Sequence, residues 1–162
     1  HLEAYSNGEL RFVWLDVPFA ESELKIALES IGNPEEYFVS DYETDIEGYE
    51  IEEYPDYEEL NEIVSAYDSL DKYEQETVCA YRIVEGCSFQ AAIEKVQDGD
   101  IVFHKHQSLA DVAADLVDEG CFGDIPENIR NYIDYEAIGN DLRYDGYYEI
   151  SEGCLWGVLE IR

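Results

Sequence analysis

Ile125-Pro126-Glu127-Asn128-Ile129-Arg130-Asn131-Tyr132-Ile133-Asp134-Tyr135-Glu136-Ala137-Ile138-Gly139-Asn140-Asp141-Leu142 is the stretch around which the chain is organised. Pro126 suits the first turn of a helix, where a missing N–H costs little, and Ile129, Tyr132, Ile133, Ala137 and Ile138 then recur at helical spacing. The spacing predicts one helix, or two abutting ones, ending near Gly139, with Asp134, Glu136 and Asp141 solvated. Periodicity alone therefore describes a core helix and says nothing of function.

Working outward, Tyr144–Ile150 and Cys154–Ile161 read as a hairpin around Glu152-Gly153. On the other side, Ile101-Val102-Phe103-His104 reads as a short strand. Ser108 then caps a helix carrying Leu109, Val112, Ala113, Leu116 and Val117, which ends at Gly120. Earlier still, Leu60, Ile63, Val64 and Tyr67 define a helix from near Asp56, and Val78, Tyr81, Ile83 and Val84 one ending at Gly86. Another starts at Ser88 with Phe89, Ala92, Ile93 and Val96 inward, so the middle reads as a small helical bundle. At the N-terminus, Leu10–Val17 is rich in strand formers and closed by Pro18, and pairs with a truncated Leu2–Ser6 across the hairpin signal Asn7-Gly8. Leu24, Ala27, Leu28 and Ile31 form one helical face stopped by Gly32, and Tyr37–Glu43 reads as a further strand. The expectation is an elongated α+β protein of three small lobes: residues 1–55 (a small sheet plus helix), 56–98 (helical) and 99–162 (α+β with the terminal hairpin).

Charge narrows the function. Forty Asp and Glu against nine Lys and Arg leave a net charge of −31 in 162 residues, yet 46% of the residues are hydrophobic and 14% aromatic, which no disordered acidic tail would need. The chain folds despite strong self-repulsion. The three stretches carry 15 acids and 2 bases, 11 and 3, and 14 and 4, so the charge is spread along the whole chain. Like charge disfavours nucleic acid as a partner; a basic surface such as a DNA-binding groove is the natural one. B-DNA carries about one charge per 1.7 Å of axis, so 31 charges match roughly 53 Å, or about 15 base pairs. A compact globule of this length is only about 40 Å across, which favours an elongated shape. General solubility in a halophilic protein would give the same composition.

The residues quoted above also carry a resemblance. Ile-Pro-x-x-Ile-x-Asn-Tyr-Ile-Asp-Tyr-Glu-Ala-Ile-Gly-Asn-Asp-Leu from Ile125, followed by Tyr144-Asp145-Gly146, resembles the ArdA antirestriction proteins of mobile genetic elements. Asn7-Gly8-Glu9-Leu10, Trp14-Leu15-Asp16-Val17-Pro18, Glu36–Glu43 and Ile101–His104 are similar in register, and the likeness is weakest between about Leu60 and Gln97. The resemblance implies a dimeric mimic of B-form DNA that occupies the groove of type I restriction-modification enzymes and blocks restriction, with inhibition of modification left open. It also implies a homodimer contact in the C-terminal lobe. The carboxylates expected to meet the partner are Glu35, Glu36, Asp41, Glu43, Asp45, Glu47, Glu50, Glu52 and Glu53, nine acids with no base among them, together with Asp111, Asp115, Asp118 and Glu119. The apolar strip Leu109, Val112, Ala113 and Leu116 could serve either the core or a partner copy. An acidic scaffold for a histone-like protein is the alternative reading.

Competing chemistry is weakly supported. Asp41-x-Glu43-x-Asp45 spaces acids like a calcium loop, but Ile46 stands where the loop needs glycine. His104 and His106 would share one strand face without a third ligand, so no metal and no cofactor is expected. No nucleophile motif or phosphate loop stands out, and neither an enzymatic activity nor a small-molecule substrate is expected. Cys79, Cys87, Cys121 and Cys154 lack any close pair and read as buried thiols. No apolar run of membrane-spanning length and no leader pattern is present, so a cytoplasmic protein is expected. With His1 first and no Met, a trimmed start and a shortened first strand are expected.

Overall fold

The computed structural model describes His1–Arg162 and is α+β, with seven α-helices, one 3₁₀ turn and a three-stranded antiparallel sheet. The chain divides into two compact units, His1–Leu70 and Asp71–Arg162.

The first unit holds α1 (Leu2–Ser6), α2 (Glu21–Ser30) and α3 (Tyr57–Asp68). Sequence and structure differ most here. Leu2–Ser6 is helical where a strand is expected: the His1 ring nitrogen accepts from Ala4 N–H at 3.3 Å, and Asn7-Gly8 closes the helix instead of turning a hairpin. With that partner strand gone, Leu10–Val17 has no ladder to join. Tyr37–Glu43 does not form a strand either; its link is one backbone bond from Val39 N–H to the Glu53 carbonyl at 2.8 Å. The expected N-terminal sheet is therefore absent.

Aromatic contacts hold this unit instead. Tyr57 stacks on Tyr37 at 6.1 Å and packs against Phe19 at 5.7 Å, while Phe38 meets Tyr5 at 5.7 Å and Tyr54 at 6.3 Å. Such pairs add about 0.5–1.5 kcal/mol each beyond the area they bury. Asn61 on α3 pins the chain at Phe19 with a matched pair of bonds, accepting from its N–H at 3.0 Å and donating to its carbonyl at 2.8 Å. Asp56 caps α3 by accepting from Glu58 and Glu59 N–H.

The second unit is built as a layered sandwich. Strands β1 (Ile101–Lys105), β2 (Tyr147–Glu152) and β3 (Leu155–Ile161) lie in the order β1-β3-β2. The register pairs Phe103 with Leu159, His104 with Val158, and Tyr147 with Glu160. Opposed residues share a face, so period-two alternation divides the sheet into two inner surfaces. Helix α4 (Lys72–Glu85) contacts all three strands, and its Tyr73 hydroxyl accepts from Phe103 N–H at 2.9 Å. Helix α5 (Phe89–Gln97) packs on α4, its Ser88 cap and inward Phe89, Ala92, Ile93 and Val96 agreeing with the periodicity. The opposite surface packs through Val158 on α6 (Leu109–Asp118) and α7 (Tyr135–Leu142), forming a buried cluster of Leu109, Val112, Ala113, Leu142 and Val158 with Leu116 alongside.

The organising stretch is two pieces: a 3₁₀ turn, Glu127–Tyr132, and α7, which Asp134 caps by accepting from Ala137 N–H at 3.0 Å. The helix does not end at Gly139. That glycine is buried inside α7 at its crossing with α6, where an added Cβ would lie 2.8 Å from the Leu109 carbonyl carbon. Its missing side chain permits the close approach of two backbones. The turn comes instead at Gly146, whose positive φ of 87° brings its carbonyl to Ile161 N–H at 3.0 Å.

Gly139→Ala separates the two roles of the residue. Alanine favours a helix by about 1 kcal/mol, but forcing α7 off α6 costs about 1–3 kcal/mol. A net loss of stability in urea denaturation is expected; an unchanged or higher midpoint would show that the crossing tolerates a methyl group.

Candidate protein-binding surface

An ionised carboxylate is stable only in water or beside a cation, and this chain has few cations. Of the forty acids, all but Glu74, Glu76 and Glu160 are exposed. The first unit carries 20 acids against Arg11 and Lys25, a net −18; the second carries 20 against seven bases, a net −13.

All nine acids from Glu35 to Glu53 are exposed, and Glu35, Glu36, Asp41, Glu43, Asp45, Glu50, Glu52 and Glu53 take part in none of the ion pairs. They are held outward by what lies between them. Tyr37, Phe38, Val39, Tyr42, Tyr49 and Ile51 are half-buried and Ile46 is buried, so apolar anchors alternate with solvated charges along irregular backbone. A short turn, Tyr49 N–H to the Ile46 carbonyl at 3.1 Å, closes the segment around Ile46. Burial, with the nearby Glu59 charge, raises the Tyr49 phenol above its ordinary value, as burial and Tyr37 raise Tyr57. These rings therefore remain neutral at physiological pH.

On α6, Asp111, Asp115 and Asp118 stand at i, i+4 and i+7, on the face opposite the buried strip, and Glu119 follows as the C-cap. Asp111 closes a capping box with Ser108, and the two hydrogen bonds from Ser108 hold its carboxyl below the usual carboxylate value. Asp115 accepts from Gln107 at 2.6 Å, and Asp118 is bridged by Arg130. The strip itself is spent inside the chain's own core: Leu109, Val112 and Ala113 are buried and Leu116 packs against them. Asp41, Glu43 and Asp45 are exposed on either side of the anchor Tyr42 without converging, and no three His, Cys, Asp or Glu side chains gather in metal-binding geometry. His104 and His106 do not act together. The first faces Glu160, while the second lies past the strand end at φ 61° and stacks on Trp156 at 5.8 Å. Cys79 is buried, but Cys121 and Cys154 are exposed because each falls in a turn, a correction to the expectation of buried thiols.

The acids Glu58, Glu59 and Glu62 on α3 also face solvent and extend the charged surface beyond Glu53. Their signal was in the sequence, since the apolar positions of that helix leave them on the outer face. A second group has no local signature. Glu160 is sheltered on β3, where Arg162 Nε donates to it at 2.6 Å and His104 Nε2 lies 3.0 Å away. Burial raises its carboxyl, but bonding and charge from Arg162 and His104 outweigh that and leave it below the usual carboxylate value. Tyr147, paired with Glu160 across the strands, is raised by burial and by the Glu160 charge.

A depressed folded-state pKa contributes stability that is complete above the unfolded value, near pH 4.3, and lost as pH falls through the folded one. Glu160→Gln should therefore lower stability at pH 7 by about 1–3 kcal/mol, because it weakens two charge-assisted bonds. Below about pH 4 its stability should fall less than the parent's. Urea titrations across pH check this, and parallel acid limbs would show that Glu160 is not the group responsible.

No helix is long and apolar enough to cross a membrane. The family model described as Antirestriction protein (ArdA) matches residues 1–155. Among curated proteins no match was found.

Proposed function

As the chain belongs to the ArdA antirestriction protein family, we propose that it acts by presenting carboxylates in place of DNA phosphates to the basic DNA-binding groove of a type I restriction-modification enzyme. It works by occupancy, without bond making or breaking. The observation that carries this reading is the solvent exposure of 37 of the forty acids, most of them unmatched by any cation. Spacing supports it. From Asp111 to Glu119 the helix rises about 12 Å, giving roughly 4 Å of axis per carboxylate over four carboxylates, of which Asp118 is bridged by Arg130, against 3.4 Å per charge along one strand of B-DNA. Lysines and arginines placed to meet phosphates can make similar charge-assisted pairs with such a row. The proposal includes a homodimer, whose contact must use side chains other than Leu109, Val112 and Ala113, since the protomer already covers them.

Inhibition of a type I restriction enzyme should be relieved by added duplex DNA, and the dissociation constant should rise more than about tenfold between 50 and 200 mM salt. Inhibition indifferent to duplex or to salt would refute occupancy. Retention of histones with no effect on restriction would favour an acidic scaffold.

Single losses should matter little, because each exposed pair contributes only about 0–1 kcal/mol. Asp115→Asn or Glu47→Gln should change affinity less than about fivefold, whereas neutralising all nine acids from Glu35 to Glu53 should cost at least about a hundredfold. A single carboxylate that abolished inhibition would point to catalysis instead.

A further inference from the structure

The first unit contains a cleft of about 920 Å³ whose lining does not resemble a flat charged surface. One wall is the Leu10–Trp14 segment. Leu10, Phe12 and Trp14 are 78%, 65% and 56% exposed, and a large apolar group left in water is an unsatisfied interaction. The lining also includes the exposed Asp41, Glu43 and Asp45. Six carboxylates line the cleft, against Arg11 as its single Lys or Arg, and Arg11 is engaged by Glu9 at 2.7 Å. The volume falls in the range that takes a few inserted side chains.

We propose that this cleft receives a protruding segment of the partner that bears both Lys or Arg and apolar side chains, so that one part of the interface is an inserted anchor and not a groove filled by a rod. The choice of occupant follows from charge and chemistry together. A neutral apolar ligand would satisfy Leu10, Phe12 and Trp14 but leave the carboxylates to lose water without compensation. A purely cationic segment would satisfy the carboxylates and leave the apolar wall exposed. A basic segment with apolar residues meets both requirements, and an arginine over Phe12 or Trp14 adds a cation–π contact that strengthens as water leaves. Buried aromatic anchors of this kind dominate binding energy in protein interfaces. The exposed acids elsewhere would then set encounter rate and salt dependence, and the cleft would set residence time. The inference rests on the reading that the partner is a basic protein.

Two tryptophan-free peptides of equal charge test it, one alternating Arg and Leu, the other alternating Arg and Ser, titrated into the full-length chain carrying Trp156→Phe so that only Trp14 reports. The Arg-Leu peptide should shift Trp14 emission to the blue and bind at least about tenfold more tightly than the Arg-Ser peptide, the affinity expected from burying one or two leucines. Leu10→Ser with Phe12→Ser should bring that ratio to near one. Both replaced side chains are exposed, and circular dichroism should show an unchanged fold. Equal affinities in the parent, an unmoved Trp14 signal, or a ratio unaffected by the two replacements would each overturn the cleft. Duplex competition against the restriction enzyme reads the proposed function separately. Its failure with the peptide preference intact would refute the target while leaving the cleft in place, and the reverse result would refute the cleft alone.

Discussion

Like-charge repulsion constrains everything else in this molecule. With forty acids and nine bases, no arrangement can pair the charges, so the fold must place almost every carboxylate in water and find its cohesion without them. The three acids kept from full exposure show what sheltering requires. Glu74 bonds back to the Asp71 N–H in a capping box, Glu76 is bridged to Lys105, and Glu160 is held between Arg162 and His104. Each sheltered acid has a partner in the protein, as the desolvation penalty demands.

The two units meet this constraint differently. In Asp71–Arg162 a sheet with helices on both faces supplies a conventional interior, with Phe103, Val112, Val158 and Leu159 almost fully buried. In His1–Leu70 no sheet forms, and tyrosines and phenylalanines spaced among the acids do the work. An aromatic ring buries a large area from a single position, which suits a segment where nearly every second residue must stay outside. The cost is a less complete interior, visible as the cleft and as the exposed Leu10, Phe12 and Trp14.

Those two styles bear on recognition. Carboxylates on the outer face of α6 are fixed by a helix whose other face is core, so their spacing is rigid. Those from Glu35 to Glu53 sit on irregular backbone held by scattered anchors, where small adjustments to a partner cost less. Under the proposed occupancy of a groove shaped for a duplex, the first would serve as a ruler and the second as an adaptable surface.

The sequence by itself determined the helices with strong periodicity and good caps, from Asp56 before α3 to Ser108 before α6, because helix formation depends on contacts three and four residues apart. It also determined the C-terminal hairpin, the acidity and the outward placement of Asp111, Asp115 and Asp118. Only the tertiary structure decided the rest. Strand propensity in Leu10–Val17 and Tyr37–Glu43 was real, but a strand exists only with a partner, and Leu2–Ser6 closed into a helix instead. Gly139 looked like a stop and is a crossing point, a role set by a helix much earlier in the chain. Whether Leu109, Val112 and Ala113 face the core could not be read from their periodicity, since a core stripe and an interface stripe have the same spacing; Leu142 and Val158, far away in sequence, settled it. The Glu160, His104 and Arg162 group was illegible for the same reason: two of its members are 56 residues apart, and only the register of the strands brings them together.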